Sequence, residues 1–239
     1  DLYGSKKLVE LIQELSKIDG LRWIRLLYCY PEEIDDRLIQ EIKNNSKVCK
    51  YIDIPIQHIS DKVLKSMGRR GNSQEIKNLI VRLKSEIPEI IIRTTFIVGF
   101  PGEDENDFES LCSFVKEAEF DRLGVFMYSR EEGTPAFSMD KQVDDNLKKE
   151  RYNKIMEIQY NIAREKNIRR VGHVYDAIVQ GVADDGIFYY GRTYAEAPDI
   201  DGVVYFTSRE PLEIGEFCEI KILSEDEYDL IGEVKYEST

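Results

Sequence analysis

Apolar residues recur in two alternating rhythms along the first 130 positions. Short β-branched or aromatic runs, Trp23 to Tyr28, Tyr51 to Ile56, Ile90 to Val98 and Leu123 to Tyr128, read as strands. Between them apolar residues fall three and four apart, as on one face of a helix. The helical sets are Leu8, Leu11, Ile12, Leu15 and Ile18; Leu38, Ile39 and Ile42; Val63, Leu64 and Met67; Ile76, Leu79, Ile80 and Leu83; and Phe108, Leu111, Cys112 and Val115. Ser5, Ser60, Ser73 and Asp104 stand where an N-cap belongs, and Gly20 closes the first helix. Strand, polar exit and helix recur four times, with strands beginning near 23, 51, 90 and 123. This predicts a parallel sheet with right-handed crossovers and helices outside. The nearly continuous run Ile90 to Val98 fits a parallel strand covered on both faces. Pro55 requires a bulge or a late strand position. Four units do not close a barrel, and the sequence opens at Asp1 without a methionine, so it is read as a piece whose missing N-terminal part supplies further strands.

Beyond this pattern a long amphipathic helix is predicted from about Asp145 to Arg169. The texture then changes to short strands: His173 to Val182, Ile187 to Tyr194, Gly202 to Phe206, Phe217 to Leu223 and Asp229 to Tyr236. Gly181, Gly186, Gly191, Gly202 and Gly215 mark turns or bulges. Five short antiparallel strands predict a small OB-like barrel. The expected organisation is an α/β partial (βα) barrel with its connecting helix over residues 1–170, and a small all-β barrel over 171–239.

Composition narrows the class. At 239 residues and 42% hydrophobic content the chain is globular, and no stretch approaches the roughly 18 uninterrupted apolar residues of a membrane span. With no basic-apolar leader in view, the expectation is a soluble, cytoplasmic protein without a membrane partner. Cys29, Cys49, Cys112 and Cys218 lie far apart, without metal-ligand spacing, and read as free buried thiols with no metal site. Charge is more telling when divided. Residues 171–239 hold 4 basic and 16 acidic residues, a net of −12 out of a total of −13, which leaves residues 1–170 near balance. That last segment should repel a phosphate backbone and attract a basic protein.

In a β/α barrel, polar side chains that follow a strand's carboxyl end line the active-site mouth. Gln57 and His58 stand there, although a lone histidine is also a common structural residue. Gly99-Phe100-Pro101-Gly102-Glu103 lies between the third strand and its helix; spacing alone leaves a tight structural turn and a ligand-facing turn equally open, and it lacks the lysine of a phosphate loop. Arg93, inside an apolar strand, needs an anion: either a ligand or a structural partner such as Asp53. Arg69 and Arg70 follow a helix whose dipole can satisfy them, or they meet substrate. Phe188, Tyr189, Tyr205 and Phe206 are core residues, or platforms for base stacking that the −12 charge disfavours.

Three blocks, PIQHISDKVLKSMGRRG, RTTFIVGFPGE and FMYSREEGTPAF, resemble in order and spacing the radical S-adenosylmethionine methylthiotransferase family, and the last seventy residues resemble its TRAM module. GRTYAEAPDIDGVVYF is similar to the RimO branch, which modifies an aspartate of small-subunit ribosomal protein twelve. The resemblance implies S-adenosylmethionine as cofactor and two 4Fe-4S clusters in a full-length enzyme. Neither set of cluster cysteines is in this sequence, so the piece should bind no cluster and be inactive alone. The implied chemistry is reductive cleavage of the cofactor, hydrogen abstraction from the aspartate β-carbon and transfer of a methylated sulfur to it. By strand-end position and family analogy, Gln57, His58, Arg93, Gly99, Phe100, Gly102, Glu103 and Tyr128 are expected around the cofactor, with Arg93 on its carboxylate. Arg69, Tyr194, Glu196, Asp199 and Asp201 are expected on the substrate side. No residue is assigned to the chemistry itself.

Two alternatives stand beside a transferase for a basic ribosomal protein. One keeps the chemistry and moves it to a tRNA adenosine, as in the MiaB-like branch, against the acidity of residues 171–239. The other treats the chain as a non-catalytic recognition module. An aldolase-type barrel is disfavoured because no lysine stands at a strand exit.

Overall fold

The computed structural model describes residues 3–236. It divides into two compact units, residues 1–159 and 160–239.

The first unit is built on a parallel sheet in the order β1 (Ile24–Leu26), β2 (Val48–Gln57), β3 (Ile91–Val98), β4 (Arg122–Met127). Helices α1 (Leu8–Ser16), α2 (Asp36–Asn44), α3 (Asp61–Ser66), α4 (Ser73–Glu86) and α5 (Glu105–Ala118) connect or precede the strands. The strand–helix alternation is as read from the sequence. β3, however, is not covered equally on its two faces. Ile92, Thr94, Phe96 and Val98 are buried while Ile91, Arg93, Thr95 and Ile97 are half-buried. The buried face lies under helices, where Phe96, Phe114 and Phe120 meet edge to face at centroid distances of 5.5 to 6.3 Å. The other face looks toward the barrel interior, which four strands leave open.

Local chemistry sets the helix ends, with two departures from the expected caps. Ser60 caps α3 by accepting from Val63 N, and Asp104 caps α5 in a reciprocal box with Asp107. The Lys62 ammonium and the backbone N–H of Asp107 hold the Asp104 carboxyl down at about 2. Asn72, one residue before Ser73, caps α4, because its side chain accepts from Glu75 N while Glu75 reaches back. Ser5 caps nothing: α1 begins after Lys7 with no side-chain cap.

Helix α6 (Asp145–Arg170) runs one residue past its expected end. It buries a mixed face instead of an apolar stripe, since Lys148, Arg151, Gln159 and Asn167 are as enclosed as Ile155 and Ala163. Each finds a partner; Gln159 Nε2, for instance, donates to Phe120 O at 2.9 Å.

The second unit is a closed barrel of five strands, β5 (Val174–Val182), β6 (Tyr189–Arg192), β7 (Val204–Thr207), β8 (Phe217–Asp226) and β9 (Asp229–Val234), in the order β5-β6-β7-β9-β8. It is not wholly antiparallel, because β7 and β9 run parallel. Alternation along each strand directs Ala177, Val179, Val204, Phe206, Ile220, Ile222 and Leu230 into one core. Phe206, expected as core, is fully enclosed and stacks on Tyr189 at 6.1 Å. No helix among the described residues is long and apolar enough to cross a membrane.

Candidate functional site

The carboxyl ends of β2, β3 and β4 open onto a cavity of about 620 Å³ in the first unit. Gln57, Ile97, Phe100 and Tyr128 line it from the strand exits, Met67 and Arg69 from the end of α3, and Pro135 and Met139 from the segment after β4. Its wall is mostly apolar, with few charged groups: Lys65, Arg69 and Glu131.

The β2 exit is shaped by Pro55. The β2–β3 register shifts between Ile54 and Gln57, and Gln57 takes a left-handed φ of 75°, a conformation unfavourable for a residue with a side chain. The bulge sets Gln57 at the cavity. It also turns His58 inward, where it is fully buried. His58 Nδ1 accepts from Ser60 N at 2.9 Å, which places the proton on Nε2, 3.4 Å from Glu103 Oε2.

Glu103 is the centre of a buried clamp on the GFPGE turn. Its carboxylate accepts from Gly99 N at 2.9 Å and from Arg151 Nη1 at 2.7 Å, with 0% and 3% of the two side chains exposed. Gly99 has a φ of 73°, and a Cβ there would stand 2.2 Å from Lys148 Cγ. The Lys148 ammonium continues over the Tyr128 ring at 5.4 Å, and Tyr128 meets Phe100 edge to face at 5.2 Å. The turn is therefore held from behind through its backbone, while Phe100 faces the cavity.

Four expected positions thus meet at one cavity, namely Gln57, Phe100, Tyr128 and Arg69. Four others shape it from behind. His58 and Glu103 are enclosed in the clamp, Gly99 is fixed by its φ and by Lys148, and Gly102, at a φ of 84°, bonds through its N–H to Lys141 O. Arg93 lies on the same side of β3 as Ile97, but its Nη1 donates to Asp53 Oδ1 at 3.0 Å. Asp53 and Arg93 are register partners on neighbouring strands, and Asp53 also accepts from Tyr28 N. The structural partner considered for Arg93 is therefore present within the fold, and Arg93 is not among the residues that line the cavity. Sequence reading missed Lys148 and Arg151, since the run NLKKERYNK looks like a solvated helix face.

The four cysteines are free thiols, and of the four expected to be buried Cys29 and Cys49 are so while Cys112 and Cys218 are half-buried. Burial, with the Asp53 charge adding, pushes the Cys29 thiol up to about 11, and burial with nearby Glu216 and Asp176 does the same for Cys218. Among the described residues no group of three or more His, Cys, Asp or Glu is placed to hold a metal ion.

In the second unit the expected substrate residues separate. Glu196 is 1% exposed; it accepts from Thr193 N and Thr193 Oγ1 and pairs with Arg170 Nη1 at 2.5 Å. It therefore organises the β6–β7 connection and presents nothing to a partner. Tyr194 is half-buried beside Tyr175 at 6.3 Å, and Asp201 bonds to Ala197 N. Asp199 alone of the four is exposed. Glu196→Ala is accordingly expected to lower stability by about 2 kcal/mol, by stranding buried donors, while Asp199→Ala leaves it within about 0.5 kcal/mol. Urea unfolding of the two variants checks this.

Comparison with known proteins adds to the geometry. Residues 3–115 match the model of the Radical SAM superfamily, and residues 171–234 that of the TRAM domain. The chain is 62% identical over 239 residues to the ribosomal protein uS12 methylthiotransferase RimO of Acetivibrio thermocellus, covering 100% of this chain and 53% of that protein. It is 54% identical over 238 residues to the protein of the same name from Clostridium botulinum strain Eklund 17B, covering 100% and 53%. The chain spans about half the length of the curated relatives it matches. Among solved structures, coproporphyrinogen III oxidase (HemN) from Escherichia coli, described as a radical SAM enzyme, aligns at 16% identity and a TM-score of 0.47 over 70% of this chain and 38% of that one.

Proposed function

Because the chain belongs to the radical S-adenosylmethionine methylthiotransferase family, RimO branch, we propose that the protein it forms part of methylthiolates the β-carbon of an aspartate in ribosomal protein uS12. The observation that carries this reading is the cavity at the carboxyl ends of β2, β3 and β4. Its volume is within the range of small-molecule sites, about 300 to 1,000 Å³. S-adenosylmethionine fits the residues present: Phe100, Phe126 and Met127 offer an apolar wall for a purine, and Arg69 is a cation at that wall. When bound, the cofactor and a 4Fe-4S cluster supply the one-electron chemistry. Cluster ligation is assigned to no side chain of this chain, and two clusters are taken to be held elsewhere in the complete protein. The chain's own residues bind and orient. The clamp of Glu103, His58 and Arg151 holds the turn that presents Phe100, and Lys148 holds Tyr128 beside it.

The target's class follows from charge. A net of −12 over residues 171–239 suits a basic ribosomal protein in the cytoplasm and disfavours the tRNA of the MiaB-like alternative. Mass spectrometry of uS12 from cells with and without the full-length gene tests the reading. A mass increment on one aspartate that disappears with the gene is expected; an unchanged uS12 with a changed tRNA adenosine would overturn it.

A further inference from the structure

The segment that leaves β4 is folded into a fixed shape. Glu131 O accepts from Thr134 N at 3.3 Å and from Thr134 Oγ1 at 2.8 Å, closing a turn in which Gly133 takes a φ of 82°. Gln142 Nε2 donates to Ala136 O and Met139 O, both at 3.0 Å, which ties the far end of the segment together. Within this frame Ser129 Oγ donates to Glu131 Oε1 at 2.6 Å and so fixes the carboxylate to the turn that its own backbone makes. Arg130, the cation beside it in sequence, is engaged elsewhere. Its Nε donates to Phe137 O at 2.8 Å, and its guanidinium carbon is 4.6 Å from the centre of the Phe137 ring. No cation among the described residues is within ion-pair distance of Glu131. A carboxylate with one donor on one oxygen keeps its second oxygen for a partner.

Glu131 lines the cavity at the carboxyl ends of β2, β3 and β4, and among the described residues that line it Glu131 is the one carboxylate. The charges of the wall are divided, with Lys65 and Arg69 on α3 and its end and the carboxylate on the segment after β4. Glu131, Thr134 and Pro135 are exposed and Met139 is half-buried, so this side is a rim that a partner too large to enter the cavity would meet first. We propose that Glu131 is a specificity residue for the target polypeptide: its carboxylate receives a lysine or arginine neighbouring the modified aspartate, and Pro135 and Met139 carry the apolar stem of that side chain. This deepens the reading given above and rests on it for the basic character of the target. A carboxylate already held in place loses little freedom when a cation docks on it. The phosphates of a tRNA would meet the same group as a repulsion, so Glu131 selects in the same direction as the −12 charge of residues 171–239 while standing at the cavity itself.

Calorimetry on the complete, cluster-loaded enzyme tests this with two peptides spanning the target aspartate of uS12: the native one, and one with every lysine and arginine replaced by glutamine. Wild type is expected to bind the native peptide more tightly, and Glu131→Gln to lose about three- to tenfold of that preference, since an ion pair at an interface is worth more than one on an open surface. The loss should shrink at high salt. Glu131→Lys should prefer a third peptide that carries glutamate at the same positions. Glu132→Gln removes an exposed charge one residue away and outside the cavity lining, and should leave the preference unaltered. S-adenosylmethionine, which also carries cationic groups, should bind Glu131→Gln as it binds wild type. A wild type indifferent to the two peptides, a preference undiminished in Glu131→Gln, a loss equalled in Glu132→Gln, or a loss that falls on S-adenosylmethionine instead of the peptide would overturn the assignment. These readouts are independent of product. A uS12 left unmodified in cells would therefore count against the function, whereas a uS12 modified in cells whose peptide binds Glu131→Gln with the full preference would count against Glu131 alone.

Discussion

Arg151→Met is expected to destabilise the protein by about 3 to 5 kcal/mol, the usual cost of removing one partner from an enclosed ion pair. The side chains of Arg151 and Glu103 are almost fully buried, so water cannot replace the lost guanidinium. Glu103 would retain only Gly99 N and the more distant His58 Nε2 as partners. Glu103→Gln should cost less, because an amide oxygen can still accept from Gly99 N, and Arg151 keeps Glu105 Oε2 at 3.3 Å and Glu103 O. The double variant is expected to be more stable than Arg151→Met alone, since no uncompensated charge remains inside. Urea denaturation of the four proteins gives the coupling directly. If Arg151→Met were neutral, the clamp on the turn would not exist as described.

Gly99→Ala is expected to cost about 2 to 4 kcal/mol, from two causes that can be separated. A φ of 73° disfavours any side chain by about 1 to 2 kcal/mol. The new methyl would also stand 2.2 Å from Lys148 Cγ, in the middle of a stem that is 8% exposed and tied at its end to Asp145, which adds a typical overpacking cost of about 1 to 3 kcal/mol. Combining Gly99→Ala with Lys148→Ala should recover the second part and leave the first. The same pair has a functional readout. Lys148 that is pushed off Gly99 is also pushed off the Tyr128 ring, so on the function proposed above S-adenosylmethionine binding by the complete protein should weaken in Gly99→Ala.

The elements that position the cavity were legible in the sequence because strand, exit and helix each leave a local mark. β-branched runs identified β2 to β4, and Ser60 and Asp104 marked the starts of α3 and α5. That Gln57, Phe100 and Tyr128 would gather at one cavity was legible for one reason: each follows a strand in the same sense, and parallel strands gather such positions at one end of a sheet. What sequence could not convey was which charges are internal. Arg93 and Asp53 lie forty residues apart, and only strand register makes them neighbours. Lys148 and Arg151 are spaced like an ordinary solvated stretch, and their burial depends on a turn fifty residues earlier. Glu196 sat in an acidic segment that suggested display; a short connection between two strands instead draws it inside. The parallel β7–β9 pair was missed because alternation fixes which face a residue takes and is silent on which neighbour a strand chooses.

That parallel pair governs how the small barrel comes together. β9 is the last strand along the chain yet is inserted between β7 and β8, so synthesis delivers the middle stave after both of its flanking staves. Until residues 229–234 emerge, β7 and β8 each keep an open seam, and four strands without them form a sheet with raw margins instead of a closed cylinder. Clipping those few residues would therefore act less like trimming a tail than like pulling a keystone, with sticky, aggregation-prone borders as the product.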